Sequence, residues 1–122
     1  MATAAAPHIE KDTFLGDINR RIAALGVGQI FLADFISYGA ARRISQPELS
    51  KILVGYRPYD DERARQLQEA IKELEWAFGW YYPWTPPLDD AGRLRRFIAA
   101  VREMKEEVSR SRLRQLWESI AA

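Results

Sequence analysis

Between Ala64 and Phe78 apolar residues return at intervals of three and four, through Leu67, Ile71 and Leu74. An α-helix turns once in about 3.6 residues, so this spacing draws one apolar stripe along one side of a long helix. Asp60 or Asp61 stands where its N-cap belongs. Such a helix needs other elements to cover its stripe, and the rest of the chain repeats the same period. Phe14, Leu15, Ile18, Ile22 and Leu25 form a second stripe behind a cap at Asp12, stopped by Gly26 and Gly28. An apolar segment from Gln29 to Tyr38 follows and is expected to continue through Ala40 and Ala41 to Arg43. Asp89 or Asp90 opens a last helical region with Leu94, Phe97, Ile98, Val101, Met104 and Val108 on one face. The phase then slips between Val108 and Leu113, which places a kink or break across Ser109-Arg110-Ser111. Leu113, Leu116, Trp117 and Ile120 form a separate small stripe beyond it.

No segment sustains the alternation of a half-buried strand, and Gly and Pro act as punctuation. The expected fold is all-α. It comprises a disordered tail at 1–11, a compact helical domain at 12–79, an aromatic and proline-rich connector at 80–88, and a C-terminal helical segment at 89–122 that dimerises or packs.

One short element stands out from this background. From Ser45 to Pro58 the chain reads Ser-Gln-Pro-Glu-Leu-Ser-Lys-Ile-Leu-Val-Gly-Tyr-Arg-Pro. Ser45 followed by Glu48 forms a capping box, in which the hydroxyl takes an orphan backbone N–H and the carboxylate reaches back to the cap's own N–H. Pro47 is tolerated in the first turn, and Gly55 ends the helix because glycine takes the left-handed conformation cheaply. Leu49, Ile52 and Leu53 fall on one side and leave Gln46, Ser50 and Lys51 facing outward.

Composition removes several functional classes. The chain lacks cysteine, so it has no disulfide framework, thiol nucleophile or thiolate metal site. Its one histidine, His8, lies in the small-residue tail, which argues against histidine catalysis and zinc binding. Asp60-Asp61 and Asp89-Asp90 occupy helix starts, where carboxylates serve as caps, and no phosphate loop or nucleophile elbow is present. An enzyme is not expected, nor a cofactor, a metal or a small-molecule substrate. No apolar run approaches the roughly 20 residues of a membrane span, so a cytoplasmic protein without membrane contact is expected.

Net charge is only +1, from 18 Lys and Arg against 17 Asp and Glu, but the charge is unevenly placed. From Phe35 to Pro58 the basic residues Arg42, Arg43, Lys51 and Arg57 face Glu48 alone. The segment from Arg93 to Arg114 is basic as well, whereas Asp60 to Glu75 holds much of the acid.

Ile44-Ser45-Gln46-Pro47-Glu48-Leu49-Ser50-Lys51-Ile52 followed by Gly55-Tyr56-Arg57, with flanking helices over roughly Ile30 to Ile71, resembles the Cro-like, phage-repressor type of helix-turn-helix. The resemblance implies a lambda-repressor-like arrangement in which the short helix enters the major groove. By position, Gln46, Ser50 and Lys51 would then meet base edges, and Ser45, Tyr56 and Arg57 would lie nearer the phosphates, with Arg42 and Arg43 adding positive charge. Gln pairs with adenine, Lys donates to guanine, and Arg holds phosphate. The family's small residue on the first helix of the motif falls here at Gly39, its usual turn glycine at Arg43, and its usual polar opening residue at Phe35. Proteins of this type commonly bind two half-sites as dimers.

The connector Trp80-Tyr81-Tyr82-Pro83-Trp84-Thr85-Pro86-Pro87 could stack bases, but such clusters more often form core lids or subunit interfaces. Trp80, Tyr82, Trp84, Phe97, Val101 and Trp117 are accordingly candidate interface residues of a homodimer. Arg93, Arg95, Arg96 and Arg102 read as a solvated helical face threaded with Glu103, Glu106 and Glu107. The expected function is sequence-specific recognition of double-stranded DNA by a small transcriptional regulator of phage or bacterial type. The alternative is a non-catalytic interaction module, an adaptor or phage assembly component, that grips its partner with the aromatic connector and C-terminal helix.

Overall fold

The computed structural model describes residues 13–81, 88–104 and 110–120. The side chains of Trp80, Tyr81 and Arg110 lie outside that description, as do the expected cap Asp12 and the connector residues Tyr82 and Trp84. Among the described residues the secondary structure is helical: α1 (Thr13–Leu25), α2 (Gln29–Ser37), α3 (Gln46–Leu53), α4 (Asp61–Tyr81), α5 (Ala91–Glu103) and α6 (Arg110–Ser119). The fold is all-α. None of the described helices is long and apolar enough to cross a membrane.

Polar side chains set the starts of α3, α4 and α5. The Ser45 hydroxyl accepts from Glu48 N–H at 3.2 Å, Asp60 from Arg63 N–H at 2.8 Å, and Asp90 from Arg93 N–H at 2.9 Å. The end of α3 is closed by a Schellman turn. Tyr56 N–H donates to Lys51 C=O at 2.8 Å and Gly55 N–H to Ile52 C=O at 3.0 Å, with Gly55 at φ 86°.

α2 is the hub. It packs against α3, α4 and α5, while α1 covers α4 and α6 covers α5. Phe31, Leu32, Ala33, Phe35, Ile36 and Ser37 are all buried on it, because a helix surrounded on several sides must be apolar around most of its circumference. Leu94 and Phe97 of α5 are fully buried in the same core as Leu49, Ile52, Leu67 and Leu74. The C-terminal helices are therefore built onto the central helix.

α2 ends at Ser37, earlier than its composition suggests, and an eight-residue connection leads to α3. Gly39 lies in that connection at φ 70°, so it is not a small residue on the helix, whereas Ala33 is buried on α2. Phe35 is a core residue near the end of α2, and Gln29 opens the helix. A buried clip holds the connection. Ser37 Oγ donates to Ile44 C=O at 2.9 Å and accepts from Ile44 N–H at 2.8 Å, and the Ile44 side chain is itself buried. Replacing Ser37 by Ala leaves two backbone groups unpaired in the interior, so Ser37→Ala is expected to cost about 2 kcal/mol. A fall in the urea midpoint at unchanged slope would register this.

α5 stops at Glu103, with Met104 extended at ψ 127°, several residues before the expected break, and Val108 lies outside the described residues. Toward the N-terminus, Asn19 joins α1 to the last turn of α3 by donating to Leu53 C=O at 2.9 Å. Arg21 grips Glu75 of α4 through two donors. That contact holds the Glu75 carboxyl below its usual pKa range, and the Arg42 guanidinium does the same for Asp60, helped by Arg63 N–H. Both acids bind their protons more weakly when folded than when unfolded. Their stabilisation is therefore complete above the ordinary carboxyl range and drains away as pH falls through and below it. Denaturation midpoints taken at successively lower pH are expected to decline there, and Arg21→Gln should flatten part of the decline.

Candidate nucleic-acid interface

The orientation of α3 follows from which residues it buries. Leu49, Ile52 and Leu53 face the core, so the opposite side carries Pro47, Lys51 and Val54, with Ser50 half-buried at its edge. α2 packs along one flank, and Arg63 of α4 reaches the other. On the α2 flank, Gln46 Nε2 donates to Gln29 Oε1 at 3.1 Å, joining the first residues of the two helices. This bond leaves Gln29 with both amide donors and Gln46 with its amide oxygen for an external partner.

On the α4 flank lies Glu48, a carboxylate that would repel phosphate. Its Oε2 sits 3.4 Å from Arg63 Nη2 and 3.6 Å from Arg57 Nη1. Arg63 is only 3% exposed. It also donates to Arg43 C=O at 3.2 Å and to the Gln66 side chain. The carboxylate thus turns inward to neutralise a buried cation, where the sequence pattern assigns it to the Ser45 N–H. Only the Ser45 half of the capping box stands as expected.

Among the other expected contact residues, Ser45 is exposed and its hydroxyl is engaged at the cap. Lys51 is exposed and has no ion pair among the described residues. Tyr56 is 78% exposed just beyond the Schellman turn. Arg57 is exposed, and among the described residues its one ion pair is the long contact to Glu48. Arg43 is exposed without a carboxylate partner among the described residues, whereas Arg42 is not available in the same way. Its guanidinium meets Asp60 at 2.9 Å and Glu62 at 2.8 Å, which raises its pKa and cancels its charge. The positive surface beside α3 therefore rests on Lys51, Arg57 and Arg43.

The basic residues of α5 have a different role from the solvated face their spacing suggests. Arg95 lies over the Phe35 ring of α2 at 3.9 Å and donates to Phe35 C=O at 2.8 Å. Arg93 lies over the Trp117 ring of α6 at 4.2 Å and donates to Trp117 C=O at 2.7 Å. Arg102 lies over the Trp76 ring of α4 at 4.3 Å and pairs with Glu73 at 2.8 Å. Each joins α5 to a different helix through a guanidinium stacked on a ring, an arrangement that strengthens where solvent is excluded.

The interface assignment changes for three residues. Phe97, Val101 and Trp117 are buried within the single chain, and the Phe97 and Trp117 rings meet edge to face at 5.4 Å. These three side chains are taken up in the chain's own core and are not available to a second copy. The remaining candidates, Trp80, Tyr82 and Trp84, fall on side chains outside the described residues.

Sequence reasoning passed over Gln29 and Arg63. Gln29 follows Gly28 at a helix start and mirrors Gln46 after Ser45, a signal that could have paired them. Arg63 stands four residues before Leu67, in phase with the buried side of α4, whereas Arg65 is out of phase and exposed, a signal that could have singled out Arg63. No family model, curated protein or solved structure matches the chain.

Proposed function

We propose that the protein is a sequence-specific, double-stranded DNA-binding protein of the Cro-like helix-turn-helix type, a small regulator of phage or bacterial transcription. The observation that carries this reading is the character of the outward side of α3: its residues are exposed, Lys51 has no acidic partner among the described residues, and its one carboxylate, Glu48, turns onto Arg63. α5 packs against α2 and α6 against α5.

In the complex α3 would lie in the major groove with its first turn toward the bases. Gln46, held by Gln29, offers an acceptor, and Gln29 offers donors to a base edge or phosphate. Lys51 donates to guanine acceptors, Ser50 adapts to either base, and Arg57 with Arg43 contacts the flanking phosphates. Arg42 contributes little, because Asp60 and Glu62 already neutralise it. A homodimer, which two half-sites require, would use a surface other than the stripe of Phe97, Val101 and Trp117.

Selection of bound sequences from random duplex DNA, repeated at several salt concentrations, tests this function. Enrichment of a short motif, with affinity falling linearly in the logarithm of salt, is expected. Failure to enrich any motif would reject sequence reading.

A further inference from the structure

Between the end of α2, the start of its following connection, α4 and α5 lies a groove of about 550 Å³. Ile36, Ala40 and Ala70 give it apolar walls, Lys72, Arg95 and Arg102 line it with positive charge, and Glu69 and Glu73 line it with negative charge. Two contacts immobilise the Arg95 guanidinium. Its Nε donates to Phe35 C=O at 2.8 Å, and its plane lies over the Phe35 ring at 3.9 Å. Neither contact uses the Nη edge, and among the described residues the side chain makes no other hydrogen bond and no ion pair. The nearest carboxylate influence comes from Glu73, which is committed to Arg102 at 2.8 Å.

Arg95 is half-buried. Burial works against its charge and lowers its pKa, and Glu73 offsets only part of that cost. Half-buried cations are ordinarily neutralised by a carboxylate or by several carbonyls. Here the fork is fixed in position, and its open edge faces a space large enough for a small molecule. A planar guanidinium edge matches a planar carboxylate through two parallel N–H···O bonds. Apolar walls beside it suit the body of the same ligand.

We propose that this groove binds a small organic carboxylate, with the anionic head on the free edge of Arg95 and an apolar body against Ile36, Ala40 and Ala70. The Gln66 amide and the Tyr38 ring, which also line the groove, bound the space left for that body. The site lies on the side of α2 that faces α4 and α5, away from the outward side of α3, so it stands independently of DNA recognition.

The test uses the full chain and two probes that differ in charge, sodium benzoate and benzamide, followed by amide and arginine Nε–H NMR. Benzoate is expected to shift Arg95 Nε–H and the amides from Phe35 to Ala40 saturably, and benzamide to bind at least tenfold more weakly. Arg95→Gln should weaken benzoate at least tenfold. Because that change also removes the bond to Phe35, Ala40→Leu provides a second arm: it fills the groove, keeps the Arg95 contacts, and should weaken benzoate likewise. Equal binding of the two probes, or benzoate binding that survives in the folded Ala40→Leu protein, would overturn the proposal. Inorganic phosphate binding as tightly as benzoate would overturn the carboxylate assignment.

Discussion

Glu48→Ala should destabilise the protein by about 3 kcal/mol, although Glu48 sits on a surface helix, because the change strands a buried guanidinium. Arg63 retains its bonds to Arg43 C=O and Gln66 in that variant but loses the carboxylate that balances its charge, and its Nε is already without a partner. Arg57 cannot compensate, since it carries the same charge. Removing the cation as well should recover much of the loss. Arg63→Met in the Glu48→Ala background replaces an uncompensated charge with an apolar side chain of similar length, and such exchanges of a whole buried pair are often near neutral. A double-mutant cycle by chemical denaturation measures the coupling. If Glu48→Ala is as stable as the parent, the inward turn of the carboxylate is not what neutralises Arg63.

The second large effect concerns DNA, and it separates two kinds of contact on one surface. Lys51→Ala should weaken binding to the preferred sequence by about tenfold to a hundredfold, the range of one good base contact, and relax preference at one position. Arg57→Ala should weaken all sequences alike and reduce the salt slope by about one, as loss of a phosphate contact does. Arg42→Ala is the internal control: its guanidinium is held by Asp60 and Glu62, so the change should leave the salt slope nearly unaltered. Equal losses for Lys51→Ala on every sequence would move that side chain from the bases to the backbone.

What the sequence makes legible here is local. The middle of the α4 stripe at Leu67, Ile71 and Leu74, the caps at Ser45, Asp60 and Asp90, and the stop at Gly55 each depend on neighbours within a few residues, and each occurs where those neighbours place it. The outward phase of Ser50 and Lys51 belongs to the same class, because three buried positions on α3 determine it. The end of α2 does not. Ala40 and Ala41 favour continuing the helix, and the clip from Ser37 to Ile44 overrides them through a contact seven residues away. Arginine roles were also illegible. Arg93, Arg95 and Arg102 look like a charged surface run until the rings of Trp117, Phe35 and Trp76 are brought to them by other helices.

That distinction bears on the candidate site. Its outward residues could be named from helical phase, but the two that shape it, Gln29 and Arg63, act across elements. Gln29 steadies Gln46 from α2, and Arg63 withdraws Glu48 from the face. Without the second contact, a carboxylate at the start of α3 would oppose the phosphates the site is proposed to meet.

Backbone amide NMR of the full chain, titrated with its selected duplex, tests the proposed reading face most directly. The amides of Gln29, Gln46, Ser50 and Lys51 should show the largest shifts, together with Tyr56 and Arg57, while those of α5 and α6 remain nearly unmoved. Largest shifts on α5 or α6, with α3 unaffected, would contradict the proposed role of α3.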